Sequence, residues 1–178
     1  MRQLNILRSI VLSIGAGYLI FSQDHSAPVG IQVLQFVSIA LVIGSLVMLR
    51  VPSLKLTLKE IAIPTGIALV AAILSVALGG QYAGENTDEL FTLRSLVVLF
   101  VGGMAVLEFI LSLNAKQEDI LELRISATLG FLTGLLFSFA PLDDLNAVGF
   151  FSAYLAISAV QRGVWAATPT NRKKIKNA

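Results

Sequence analysis

The chain contains no cysteine, one histidine and one tryptophan, and only 13% of its 178 residues are charged. Without cysteine there is no disulfide, no thiolate chemistry and no Cys-based metal site. With His25 as the sole imidazole, no histidine cluster can hold a metal. The sequence therefore gives no reason to expect a cofactor or a nucleic-acid partner. Charge is scarcest of all, since a soluble domain is about one quarter Asp, Glu, Lys and Arg. Hydrophobic residues make up 56% of the chain, and the mean hydropathy is +0.82. So little polar surface cannot clothe a water-soluble domain, and lipid is the expected solvent.

What is present is a series of long apolar runs, at about 6–22, 29–49, 61–80, 91–113, 121–140 and 146–167. Each approaches the ~20 residues that a helix needs to cross a ~30 Å hydrocarbon core. Helices are expected because backbone donors and acceptors must be satisfied internally in lipid. The runs do not alternate in polarity as barrel strands would. Short polar segments separate them ("SQDHSAP", "RVPSLKLTLKE", "GGQYAGENTDE", "NAKQED", "APLDDLN"), none long enough for a soluble domain. The reading is one all-α membrane domain of six spans. The first span, after the basic "MRQLNILR", resembles a signal peptide, but cleavage after Ala27 or Ser26 would put His25 or Asp24 where a small residue is needed. A retained span is expected.

Charge placement sets the expected orientation. With the N-terminus inside, the inner segments hold Arg2, Arg8, Arg50, Lys55, Lys59, Lys116, Arg124, Arg162, Arg172, Lys173, Lys174 and Lys176. Only Arg94 of the thirteen basic residues falls outside, the bias that the positive-inside rule demands. Both termini are then cytoplasmic. The basic tail "RKKIKNA" within 168–178 reads as a topology anchor for anionic lipid, or more sharply as a docking site for a partner or a specific lipid. Pro169 is expected to end the sixth helix.

The spans pair into three consecutive helical hairpins with traces of a repeat. "LRSIVLSIGAGYLIFS" (7–22) aligns with "LRISATLGFLTGLLFS" (123–138), and Ala105 to Glu108 align with Ala159 to Arg162 near the inner ends of spans four and six. Pro64 sits in the first turn of span three on this reading. Small residues recur every four positions at Ser126, Gly130, Gly134 and Ser138, at Ala71, Ser75 and Gly79, and at Ser9, Ser13 and Gly17. Such stripes let helix backbones approach closely in lipid, either within one bundle or between copies in a homo-oligomer.

The hairpin repeat, the basic inner ends and the stretch from "VGGMAVLEFILSL" to "LELRISATLGFLTGLLFSFAP" resemble the HdeD-like family of acid-resistance membrane proteins. In that family an even helix ends in a small residue, an aliphatic pair and an acid, as Ala105 to Glu108 do here. A Gly-rich odd helix follows, as over Arg124 to Gly134. "VGFFSAYLAISAVQRGVWAA" resembles the last helix, with Gln161-Arg162 departing from its usual small or aliphatic pattern. The resemblance implies a six-helix bacterial inner-membrane protein with no established enzymatic activity and a link to acid or envelope stress.

An ionisable group inside the membrane is a functional-site hypothesis by default. Glu108 stands five residues from the end of its span, roughly 8 Å below the interface at 1.5 Å per residue. A carboxylate there needs a partner. The repeat offers Arg162 first and Arg124 second. The pair would either lock two repeats together or open when acid neutralises Glu108. Gln35 and Gln161 are expected to bond across helices, and Arg94 to reach Asp88 and Glu89. His25, in an outer loop, reads as a solvated residue or as a sensor of external acid. No His, Asp or Ser constellation suggests an enzyme. Two readings stay open: an accessory or stress-tolerance membrane protein, and a small transporter or channel with Glu108 and an inner-mouth arginine on its path.

Overall fold

The computed structural model describes residues 2–50, 58–79, 89–113, 115 and 117–168. Among them every regular element is helical. Six helices follow one another: α1 (Arg2–Phe21), α2 (Ala27–Leu49), α3 (Leu58–Gly79), α4 (Glu89–Leu113), α5 (Gln117–Phe139) and α6 (Asp144–Ala167). Each begins two to four residues before its expected apolar run and ends within one residue of it. The early starts have one cause. The first turn of a helix has N–H groups that need no intrahelical partner, so it tolerates polar residues that hydropathy excludes.

Five helices are long and apolar enough to cross a membrane: α1, α2, α4, α5 and α6. In α3 the apolar stretch among the described residues is the shorter Pro64–Leu78. Pro64 therefore lies inside α3 and not in its first turn, because the helix starts at Leu58. Helix α4 contains a π-helical turn over Val98–Gly102. The basic tail beyond Thr168 and the charges of the 51–57 and 80–88 connections lie outside the described residues.

The exterior is apolar, unlike that of a water-soluble bundle, while the apolar interior also holds a few polar groups. Phe21, Phe91, Leu132, Phe139 and Val160 are exposed, with Phe21 at 86% and Phe139 at 81%. Inside lie Ser38, Ser45, Ser75, Ser112, Glu108, Ser158 and Arg162 alongside Leu19, Leu34, Val37, Leu93, Val97, Phe100, Phe137, Phe151 and Leu155. A protein in water would bury those exterior aromatics at a gain of roughly 1.5–3 kcal/mol each. Lipid removes that penalty.

The most extensive packing joins α1 to α6, α2 to α3 and α4 to α5. The tightest contacts thus run between sequence hairpins more than within them. Small residues explain why. A Cβ on Gly130 of α5 would stand 2.7 Å from the Ala105 Cβ and 3.2 Å from the Val101 carbonyl oxygen of α4. Gly134 faces the Gly102 Cα at the end of the π-helical turn, at 3.9 Å by the same measure. Ser126, Gly130 and Gly134 are buried on this contact side, whereas Ser138 is exposed and bonds back to the Gly134 carbonyl at 2.8 Å. On α1 the expected stripe is displaced. Ser9 donates to the Ala159 carbonyl at 2.8 Å, but Ser13 is exposed and Gly17 meets nothing within 4 Å. Gly15, facing Val37 of α2, makes the close approach instead.

Candidate functional site

The residues that converge come from four helices at one end of the bundle. Asn5 and Arg8 share a face of α1 by their i, i+3 spacing, and Asp119 and Glu122 share a face of α5 in the same way. Glu108 is carried by the last two turns of α4, and Arg162 by α6. Together with Pro64, Met104, Leu107, Leu111 and Leu123 they line one cleft.

At its inner wall the Arg162 guanidinium donates through Nη2 to Glu108 Oε1, forming an ion pair between α6 and α4. Both residues are buried, at 7% and 4% exposure. The same Nη2 lies 3.3 Å from Ser126 Oγ, which ties α5 to the pair. The Arg162 Nε is buried without a hydrogen-bond partner among the described residues. A buried charge pair gains its Coulomb attraction only after both ions lose water, so remaining donors left unmet are costly.

A second layer lies beside it. Asn5 Nδ2 donates to Glu122 Oε1 at 2.8 Å, joining α1 to α5. Gln161 Nε2 donates to the Glu122 carbonyl oxygen at 3.2 Å, joining α6 to α5. Arg8 is within electrostatic range of Glu108, Glu122 and Arg162. Its side chain makes no hydrogen bond or ion pair with any described residue. Apolar side chains complete the walls of this partly open cleft, which has room for about two water molecules.

The sequence candidates are therefore separated by the fold. Glu108 and Arg162 are brought together, and Ser126 joins them in a role beyond packing. Arg124 is exposed and makes no ion pair among the described residues. It falls on the side of α5 away from Glu108, so the second-choice partner is excluded by helix rotation. Asn5, Arg8, Asp119 and Glu122 were not singled out as a group by the sequence reading. Their paired i, i+3 spacing on α1 and α5 was the available signal.

At the opposite end, Arg94 does not reach Glu89. Its Nε donates to the Phe137 carbonyl at 2.9 Å, and Nη2 donates to the Ala140 carbonyl at 2.9 Å. These carbonyls close the C-terminus of α5, where the helix dipole is negative and a cation is favoured. Asp88, the other expected partner, lies outside the described residues. Gln35 Nε2 donates to the Ser75 carbonyl of α3 at 2.6 Å, an interhelical bond. His25 is half-buried in the 22–26 connection.

The cleft does not continue as a polar path to the other end among the described residues. Between the two ends the core is filled by Val97, Phe100, Val101, Phe151 and Leu155. The arrangement can hold charge at one mouth and can bind a small polar group there. Compared with family models, curated proteins and solved structures, the chain finds no match. The HdeD-like resemblance accordingly rests on the sequence segments alone.

Proposed function

We propose that the protein is a non-enzymatic multi-pass membrane protein of the HdeD-like type. On this reading it sits in a bacterial inner membrane with six spans and both termini in the cytoplasm. It serves acid or envelope stress tolerance, or acts as an accessory partner of a membrane complex. The observation that carries the membrane part is the apolar exterior, with Phe21 and Phe139 outward while Glu108 and Arg162 are inside. The apolar fill between the two ends favours a structural or accessory role over conduction. In this role the Glu108–Arg162 pair fixes α4 against α6 at the cytoplasmic mouth.

One observation favours a second reading, a small transporter or channel. The cleft opens at the Glu108 end and is lined by three acids and two arginines. The arginine on such a path would be Arg8 beside Arg162, and not Arg124. Two experiments divide the readings. Affinity purification from native membrane in a mild detergent should yield a stoichiometric partner if the role is accessory. Protein reconstituted alone in liposomes should then show no proton or ion flux above empty vesicles. Flux that disappears in Glu108→Gln would establish the transporter reading instead. A deletion strain with unaltered survival in acid and under envelope stress would remove the stress assignment.

A further inference from the structure

The cleft at the Glu108 end carries charges that its own pairing does not use. Glu108 and Arg162 neutralise each other. That leaves Arg8, which has no hydrogen bond or ion pair with any described residue, lining the same cleft as Asp119 and Glu122. Among the described residues only one Glu122 side-chain oxygen is engaged, by Asn5. Arg8 and Glu122 are electrostatic neighbours, yet they form no ion pair. A fixed cation and fixed anions held apart in one cleft are complementary to a ligand with both charges. On the buried side, the Arg162 Nε has no acceptor among the described residues although the residue is only 7% exposed.

We propose that this cleft binds the headgroup of an ethanolamine phospholipid, with phosphate on Arg8 and the primary ammonium on Asp119 and Glu122. Guanidinium matches phosphate oxygens through its planar fork. An ammonium donates hydrogen bonds to carboxylates. A trimethylammonium cannot, and it is recognised by aromatic cages. None of the described cleft residues is aromatic, so choline is disfavoured. A glycerol headgroup would bring its phosphate to Arg8 but leave Asp119 and Glu122 without a cation. Met104, Leu107, Leu111 and Leu123 supply an apolar wall for the lipid beyond its headgroup. This assignment rests on the membrane reading above, and it does not depend on the HdeD-like one.

The test uses the full chain, delipidated in mild detergent and offered equal amounts of ethanolamine, choline and glycerol phospholipids with identical acyl chains. Retained lipid is counted by native mass spectrometry. The ethanolamine lipid should be retained roughly tenfold over the other two, and Arg8→Gln should weaken its retention by about tenfold or more, as for loss of a charged hydrogen bond. Arg8→Lys should recover part of it. Asp119→Asn and Glu122→Gln should narrow the preference for ethanolamine over choline. Asp119 is half-buried outside the ion pair, which keeps the test open if an Arg8 variant misfolds. Soluble phosphoethanolamine is added as a competitor. Competition shows that the headgroup alone is recognised, and retention without competition assigns recognition to the whole lipid. Equal retention of all three lipids overturns the proposal, as does unchanged selectivity in the Asp119 and Glu122 variants. Failure of the protein to fractionate with membranes would instead overturn the membrane reading.

Discussion

Breaking the Glu108–Arg162 pair from one side and from both sides should give opposite results. Glu108→Leu leaves a guanidinium with 7% exposure facing an apolar side chain. Ser126 Oγ at 3.3 Å is then its remaining hydrogen-bond acceptor, and Nε is already without one. Removing one partner of a buried pair costs about 3–5 kcal/mol, a factor of roughly a hundred to several thousand in the folding equilibrium. Arg162→Met leaves Glu108 in the same position and should cost a similar amount. The double variant Glu108→Leu/Arg162→Met removes both desolvation penalties and keeps side-chain volume. It should fall within ~1–2 kcal/mol of the parent or exceed it, since apolar replacement of buried pairs is often neutral or stabilising. The single tryptophan, Trp165, lies less than one helical turn after Arg162 and reports unfolding in mixed micelles by fluorescence. The reasoning is refuted if the two single costs add to the double within ~0.5 kcal/mol, the behaviour of sites that do not interact.

Glycines offer a matched contrast. Gly130→Ala should destabilise by about 1–3 kcal/mol through overpacking against Ala105 and Val101, whereas Gly17→Ala, in open space, should be neutral or gain up to about 1 kcal/mol from helix propensity. Thermal unfolding of the two proteins in one detergent checks both signs. Asp143→Ala removes the N-cap of α6, whose side chain accepts from the Asn146 amide at 2.7 Å. It should cost about 0.5–2 kcal/mol in the same measurement. Arg94→Ala should lose about 1 kcal/mol by uncapping the carbonyls of α5, and hydrogen exchange should speed up at the 137–140 end of that helix without spreading to Glu108.

Run length and loop charge made the helices legible in the sequence, because hydropathy over ~20 residues is a direct record of the surrounding solvent. Helix starts were less legible. The polar first turns of α1 and α5, with Asn5 and Asp119, read as loop but are helical. The echo between Glu108 and Arg162 drew attention to two residues that the fold places in contact. It could not show that Arg124 turns outward, since rotation of α5 is set by packing of Gly130 and Gly134 on α4. Arg94 departs from its expected partners for a related reason. Its long side chain goes to the carbonyls of a neighbouring helix, and sequence proximity to Asp88 and Glu89 carries no information about that neighbour. The second polar layer was recorded only as i, i+3 spacings on two helices far apart in sequence.

The measurement that bears most directly on the whole account is the side of the membrane on which each loop lies. The chain has no cysteine, so single cysteines can be placed one at a time and labelled in intact cells with a membrane-impermeant maleimide. Gln23→Cys and Asn146→Cys should label in intact cells, and Ala115→Cys and Asn171→Cys only after permeabilisation. That pattern puts the cleft with Arg8, Glu108 and Arg162 at the cytoplasmic face. Labelling of Ala115→Cys or Asn171→Cys in intact cells would contradict it.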